Sequence, residues 1–143
     1  MYGDTAAMRK RVMQLREQGL EIRAMADRLV SQAESVPWHG RAAESMRTRI
    51  KDRASHLREA ASFHDSAAES LDKHVHEIDR LQEAISTVER KAATLTADAR
   101  ARTAALEADD SGRAPSDEDT VLAQFVAPPA GHKDWLTVSL PGL

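Results

Sequence analysis

Residues 35–43 read Ser35-Val36-Pro37-Trp38-His39-Gly40-Arg41-Ala42-Ala43, and the fold turns on this stretch, the only strong break in the first hundred residues. Proline disfavours helical backbone at Val36 before it, and glycine accepts the positive φ that a chain reversal needs. One helix is therefore expected to end near Ser35 and another to begin near Arg41. Trp38 and Gly40 are the residues that carry the turn at 36–40.

Upstream, Asp4 is placed to cap the first helix. Met8, Val12, Leu15, Gly19, Ile22, Ala26, Leu29, Ala33 and Val36 then follow in alternating steps of four and three, an a/d heptad stripe. Downstream, residues 41–111 contain neither glycine nor proline. A matching stripe runs through Ala43, Met46, Ile50, Arg53, Leu57, Ala60, His64, Ala67, Leu71 and His74, and continues through Ile78, Leu81, Ile85, Val88, Ala92, Leu95, Ala99 and Leu106. A second, much longer helix accounts for it. The short connection makes the two helices antiparallel neighbours, with Val36 near Ala43 and Met8 near Leu71. The fold class is all-α: a coiled-coil-like helical hairpin over 1–108, followed by a polar linker and tail over 109–143.

Helix one then runs out of partner surface near residue 72. The stretch from Lys73 to Ala108 would continue for about 54 Å with its apolar stripe bare. Ile78, Leu81, Ile85 and Val88 head that stripe and are the candidate partner-binding residues, since apolar surface of this extent calls for a cover. Three covers are open: a partner chain, the same stretch of a second copy, or a hinge near Ser62–Ser70 that folds the distal helix back. Either of the first two makes the protein a dimer assembled into a helical bundle.

After Asp109 the composition turns polar. Ser116 with Asp119 resembles a capping box opening a short helix through Val121, Leu122 and Phe125, which Pro128 and Pro129 end. If Trp135 to Leu140 is extended, Leu136, Val138 and Leu140 share one side. A fully disordered tail has no need of these residues, so docking is the expectation.

Composition narrows the function. Aromatics are only 3% of the chain, so stability must come from a long, thin seam of aliphatic and alanine side chains. Cysteine is absent, which excludes disulfides, thiolate metal sites and cysteine nucleophiles. No apolar run is long enough to span a bilayer, and the first ten residues lack the layout of a cleaved signal peptide. Residues 1–58 hold 12 basic and 7 acidic side chains, and residues 59–143 hold 8 and 16. The two halves are therefore complementary to each other or to a partner.

Trp38-His39-Gly40 followed by Arg41-Ala42-Ala43, at the one break between two heptad-bearing helices, resembles the WXG superfamily (ESAT-like) of type VII secretion substrates over roughly residues 4–95. In physical terms, glycine lets the chain reverse, tryptophan can cover the open end of the helix pair, and the alanines let the backbones approach. The resemblance implies a homo- or heterodimer with another WXG-like hairpin, handled by type VII machinery. It also implies synthesis in the cytoplasm and export without a signal peptide. Many members carry a Tyr-x-x-x-Asp/Glu signal after the hairpin. Here the single tyrosine is Tyr2, so the chain resembles a member that relies on its partner's signal, or one that is not exported.

Other chemistry finds little support. His74 and His76 are two apart and point to different helix faces, and no Glu-x-x-His pair exists to build a di-iron bundle. His64 and His74 instead stand at seam positions, where protonation would weaken association. No nucleophile elbow, P-loop or dinucleotide turn is present. The basic stretch of Arg41, Arg47, Arg49, Lys51, Arg53 and Arg58 is interrupted by acids and has no aromatic interleaving, unlike a nucleic-acid surface. The expectation is a non-enzymatic protein–protein interaction module with no cofactor and no metal, secreted or serving as a dimer partner. The alternative is a cytosolic adaptor that caps a larger exported toxin.

Overall fold

The computed structural model describes residues 4–110 and 112–143. It contains α1 (Thr5–Ser35), α2 (Arg41–Ala108) and a short α3 (Asp117–Ala123), then a 3₁₀ turn over Lys133–Thr137, and no strand among the described residues. The chain divides into two compact units, Gly3–Glu77 and Ile78–Leu143, with α2 contributing to both.

In the first unit α1 pairs with the opening part of α2. The Asp4 carboxylate accepts hydrogen bonds from the backbone N–H groups of Ala6 and Ala7, both at 3.1 Å, as an N-cap should. At the other end Val36 leaves the helix in an extended conformation, ahead of Pro37. The helices are antiparallel, because partners rise along one as they fall along the other: Arg16 meets Asp72, Arg23 meets Asp65, Asp27 meets Arg58 and Glu34 meets Lys51.

The contact line is made of small residues seven apart. On α1 these are Val12, Gly19, Ala26 and Ala33; on α2 they are Ala54, Ala61, Ala68 and Val75. A Cβ placed on Gly19 would lie 3.4 Å from the Ala61 carbonyl oxygen, so the two backbones already touch there. The α1 stripe falls largely where expected: its every-seventh residues are buried and Met8, Leu15 and Ile22 are half-buried, while Leu29 is exposed.

The α2 stripe needs correction. Ile50, Leu57, His64 and Leu71 border the contact, but Arg53, Ala67 and His74 are exposed, and the buried positions are their neighbours one residue on. Alanine gives a faint hydrophobic signal, so the large aliphatics drew the expected stripe to one side of the true seam. The pairing is also later than expected. Gly19 faces Ala61 and Arg16 reaches Asp72. No hinge interrupts 62–70, which is helical throughout.

In the second unit the chain's own tail covers α2. Trp135, 6% exposed, packs with Ile85 and Ala92, and Val88, Phe125, Val138, Leu140 and Leu143 close around them. The Phe125 and Trp135 rings are 6.2 Å apart and tilted by 58°. The indole N–H donates to the Pro129 carbonyl at 3.0 Å, satisfying the one polar atom of the buried ring. Ser116 caps α3 by accepting from the Asp119 N–H, as its spacing suggested.

Arg102 donates two hydrogen bonds to the Asp119 carboxylate, at 3.0 and 2.8 Å. These hold the Asp119 carboxyl below the usual carboxylate range. The tie is therefore complete near neutrality and is lost as the pH falls through that lowered pKa. Arg100 adds bonds to the carbonyls of Ala123 and Phe125.

The expectation of a bare distal stripe is thus corrected: a segment of the same chain is the cover. Nor is the last stretch simply extended, since Trp135 sits in the 3₁₀ turn facing inward and Leu136 is 44% exposed.

The relocated seam sets a test. Ala61→Leu should destabilise the protein by about 1–3 kcal/mol through overpacking, whereas Ala67→Leu on the exposed side should change stability by under about 0.5 kcal/mol. Thermal or denaturant melts of the two variants check it, and equal effects would restore the original α2 stripe.

Candidate functional site

Trp38 lies in the connection between α1 and α2, and Gly40 closes it with a φ of +105°, a conformation that a side chain would strain. Gly40 also starts α2, its carbonyl accepting from the Glu44 N–H at 3.1 Å. The Trp38 N–H donates to the Val36 carbonyl at 2.9 Å. The indole does not plug the end of the helix pair, because Trp38 is 59% exposed.

What holds this segment is Arg47, nearly two turns into α2. Its guanidinium donates to the carbonyls of Ala33 at 3.3 Å, Val36 at 2.9 Å and Trp38 at 2.8 Å. Carbonyls at a helix C-terminus lack intrahelical partners, and a cation there also meets the negative end of the helix dipole. One side chain therefore caps α1 and fixes the backbone of Trp38. In the sequence Arg47 appeared only as part of a basic run, and nothing in its spacing set it apart from Arg49 or Arg53.

The four candidate partner-binding residues fall in the second unit. Ile85 is buried, so a partner reaches it only where the tail is displaced, and Val88 packs beside it half-buried. Ile78 and Leu81 are half-buried and, with Ile85 and Leu136, line an apolar notch of about 110 Å³. A wider cleft of about 780 Å³ beside it is bordered by Gln82, Ser86 and Glu89 on α2 and by Pro129, Gly131 and His132 on the tail. The Glu89 carboxylate accepts from the Gly131 N–H, and His132 Nδ1 accepts from the Asp134 N–H at 3.2 Å. These polar groups serve the fold of the tail.

Among the described residues no group of histidine and carboxylate side chains converges to hold a metal ion, and no helix is long and apolar enough to cross a membrane. His64 and His76 each bond a backbone carbonyl four residues earlier on α2. Tyr2 lies outside the described residues. Comparison with protein-family models, with curated proteins and with solved structures found no match to this chain.

Two outcomes follow from this geometry. Arg47→Ala should cost about 1–3 kcal/mol by leaving carbonyls of the α1 terminus without donors, a loss read by chemical denaturation and absent from Arg49→Ala. Trp135→Ala should cost up to about 3–5 kcal/mol and should uncover Ile85 and Val88. A dye that fluoresces on apolar surface would then bind the variant, and an unchanged dye signal would mean the tail stays docked without its indole.

Proposed function

We propose that the chain is a non-enzymatic interaction module, a small substrate or dimer partner of type VII secretion machinery. The observation that carries this reading is Trp38: a large aromatic left 59% exposed at the end of a helix pair, on a backbone that Arg47 pins from α2. Aromatics with both exposure and a fixed base are common anchors in protein recognition, because they bring large contact area at low entropic cost. The link to type VII secretion rests on Trp38-His39-Gly40 at the connection between two amphipathic helices, where the sequence resembles the WXG superfamily. A second helical hairpin, from another copy or a different chain, is the partner that this reading requires.

The test compares Trp38→Ala and Gly40→Ala with the wild type in the cell that encodes the protein, by melting temperature and secreted fraction. Trp38→Ala should lose only about 1–2 kcal/mol, less than a fully buried tryptophan, because most of the side chain already meets solvent. Its secreted fraction should nevertheless fall well below the folded fraction. Gly40→Ala should cost about 1–3 kcal/mol by forcing a side chain into the left-handed region, with secretion falling in step with folding. Normal secretion of folded Trp38→Ala protein would remove the recognition role.

A further inference from the structure

The hairpin of the first unit has two unlike edges. At about 100° per residue, a position three after a buried one lies about 60° to one side of the seam, and a position four after it about 40° to the other. On the four-after side of α2 stand Lys51, Arg58, Asp65 and Asp72, and each is paired across to α1. On the three-after side stand Ile50 and Leu57 of α2, facing Ile22 and Leu29 of α1. Beside them lie Met46 on α2 and Met25 on α1. These residues are only partly covered, with Met25 48% and Leu29 36% exposed.

The charges bordering this apolar edge are of nearly one sign. Arg53 follows Met46 by seven residues, Arg49, His56 and Phe63 form the next line out on α2, and Arg28 stands outside Met25 on α1. Glu21 is the one acid among them. Among the described residues Arg28, Arg49 and Arg53 make no ion pair, in contrast to the paired charges of the opposite edge. A second copy docked edge to edge would bring these guanidiniums together.

We infer that the apolar edge is a docking surface for a helical segment of a different chain, apolar along one face and flanked by acidic side chains. The inference narrows the interaction-module reading to a partner class and stands apart from export. Aliphatic contact would supply the burial, and Arg28, Arg49 and Arg53 would set the choice of partner, because like-charge juxtaposition is costly at an interface.

The experiment uses the whole chain and two labelled synthetic amphipathic helices of about four heptads, identical in their leucine and isoleucine face. One is flanked by glutamates and the other by lysines, and anisotropy reports binding. The glutamate helix should bind at least tenfold more tightly than the lysine helix and weaken steeply as salt rises. Arg49→Glu with Arg53→Glu should reverse the preference, Met25→Glu should abolish binding, and Leu20→Glu on the other side of α1 should leave it intact. Should Met25→Glu unfold the protein, the charge-reversal pair alone decides. Equal affinity for the two helices, or binding of neither, would overturn the inference. So would sedimentation showing that the chain alone dimerises until Met25→Glu is introduced, because a second copy would then be the occupant. Loss of helix binding with intact secretion refutes only this edge; loss of Trp38-dependent secretion with intact helix binding refutes only the export reading.

Discussion

Two helices can pack at short range only where neither presents a large side chain. Here that condition is met by Gly19, Ala26 and Ala33 against Ala54, Ala61 and Ala68. At Gly19 the clearance is so small that an added Cβ would strike the Asp65 carboxylate at 2.8 Å, which ties the Arg23–Asp65 pair to the absence of a side chain. The larger aliphatics are consequently pushed off the seam to its border. The half-buried state of Ile22, Ile50 and Leu57, the exposure of Met25 and the placement of the ion pairs all descend from this one close approach.

Charge then selects among the registers that a repeating line of alanines would otherwise allow. A small-residue seam looks nearly the same after a slip of seven residues, so packing alone specifies register weakly. The cross-helix pairs are not symmetric under that slip: moving one heptad brings Arg23 against Arg58 in one direction and Asp27 against Asp65 in the other. Exposed pairs of this kind contribute only about 0–1 kcal/mol each. They matter less as stabilisers than as a penalty on the wrong alignment, the role that charge patterns play in coiled-coil pairing.

Much of this was legible from residues alone, and the failures share a cause. Pro37 and Gly40 located the break, Asp4 and Ser116 located the caps, and heptad spacing traced the α1 seam, because each signal is local and backed by a strong steric or hydrogen-bonding rule. The α2 seam was misplaced because Ala54, Ala61 and Ala68 carry little hydrophobic contrast, while Ile50, Leu57 and Leu71 advertise a stripe centred beside it. Arg47 was invisible because its role depends on three carbonyls that only the folded connection brings within reach. The cover over Ile85 and Val88 had no local sign either. Phe125, Trp135 and Val138 hinted at docking, but the surface receiving them lies some forty residues away on α2, beyond the reach of periodicity.

The identity of the buried residues also bears on why the hairpin should have a partner at all. Among the described residues Val75 is the largest side chain with less than 2% exposure, so the described part of the first unit has no leucine, isoleucine or aromatic buried to that degree. Burial of apolar area is the main favourable term in folding, roughly 25 cal/mol per Å², and alanine offers little of it. The area that could make up the difference is present but incompletely used, on Ile22, Met25 and Leu29 and on Met46, Ile50 and Leu57. The second unit has already met the same need internally, for Trp135 and its neighbours cover α2 there. One chain thus presents the same helix in two conditions, closed by its own tail in the distal unit and open along one edge in the proximal unit. An edge that is apolar, half-covered and flanked by unpaired arginines is where added contact would contribute most to stability, and its charge restricts which surfaces can supply that contact.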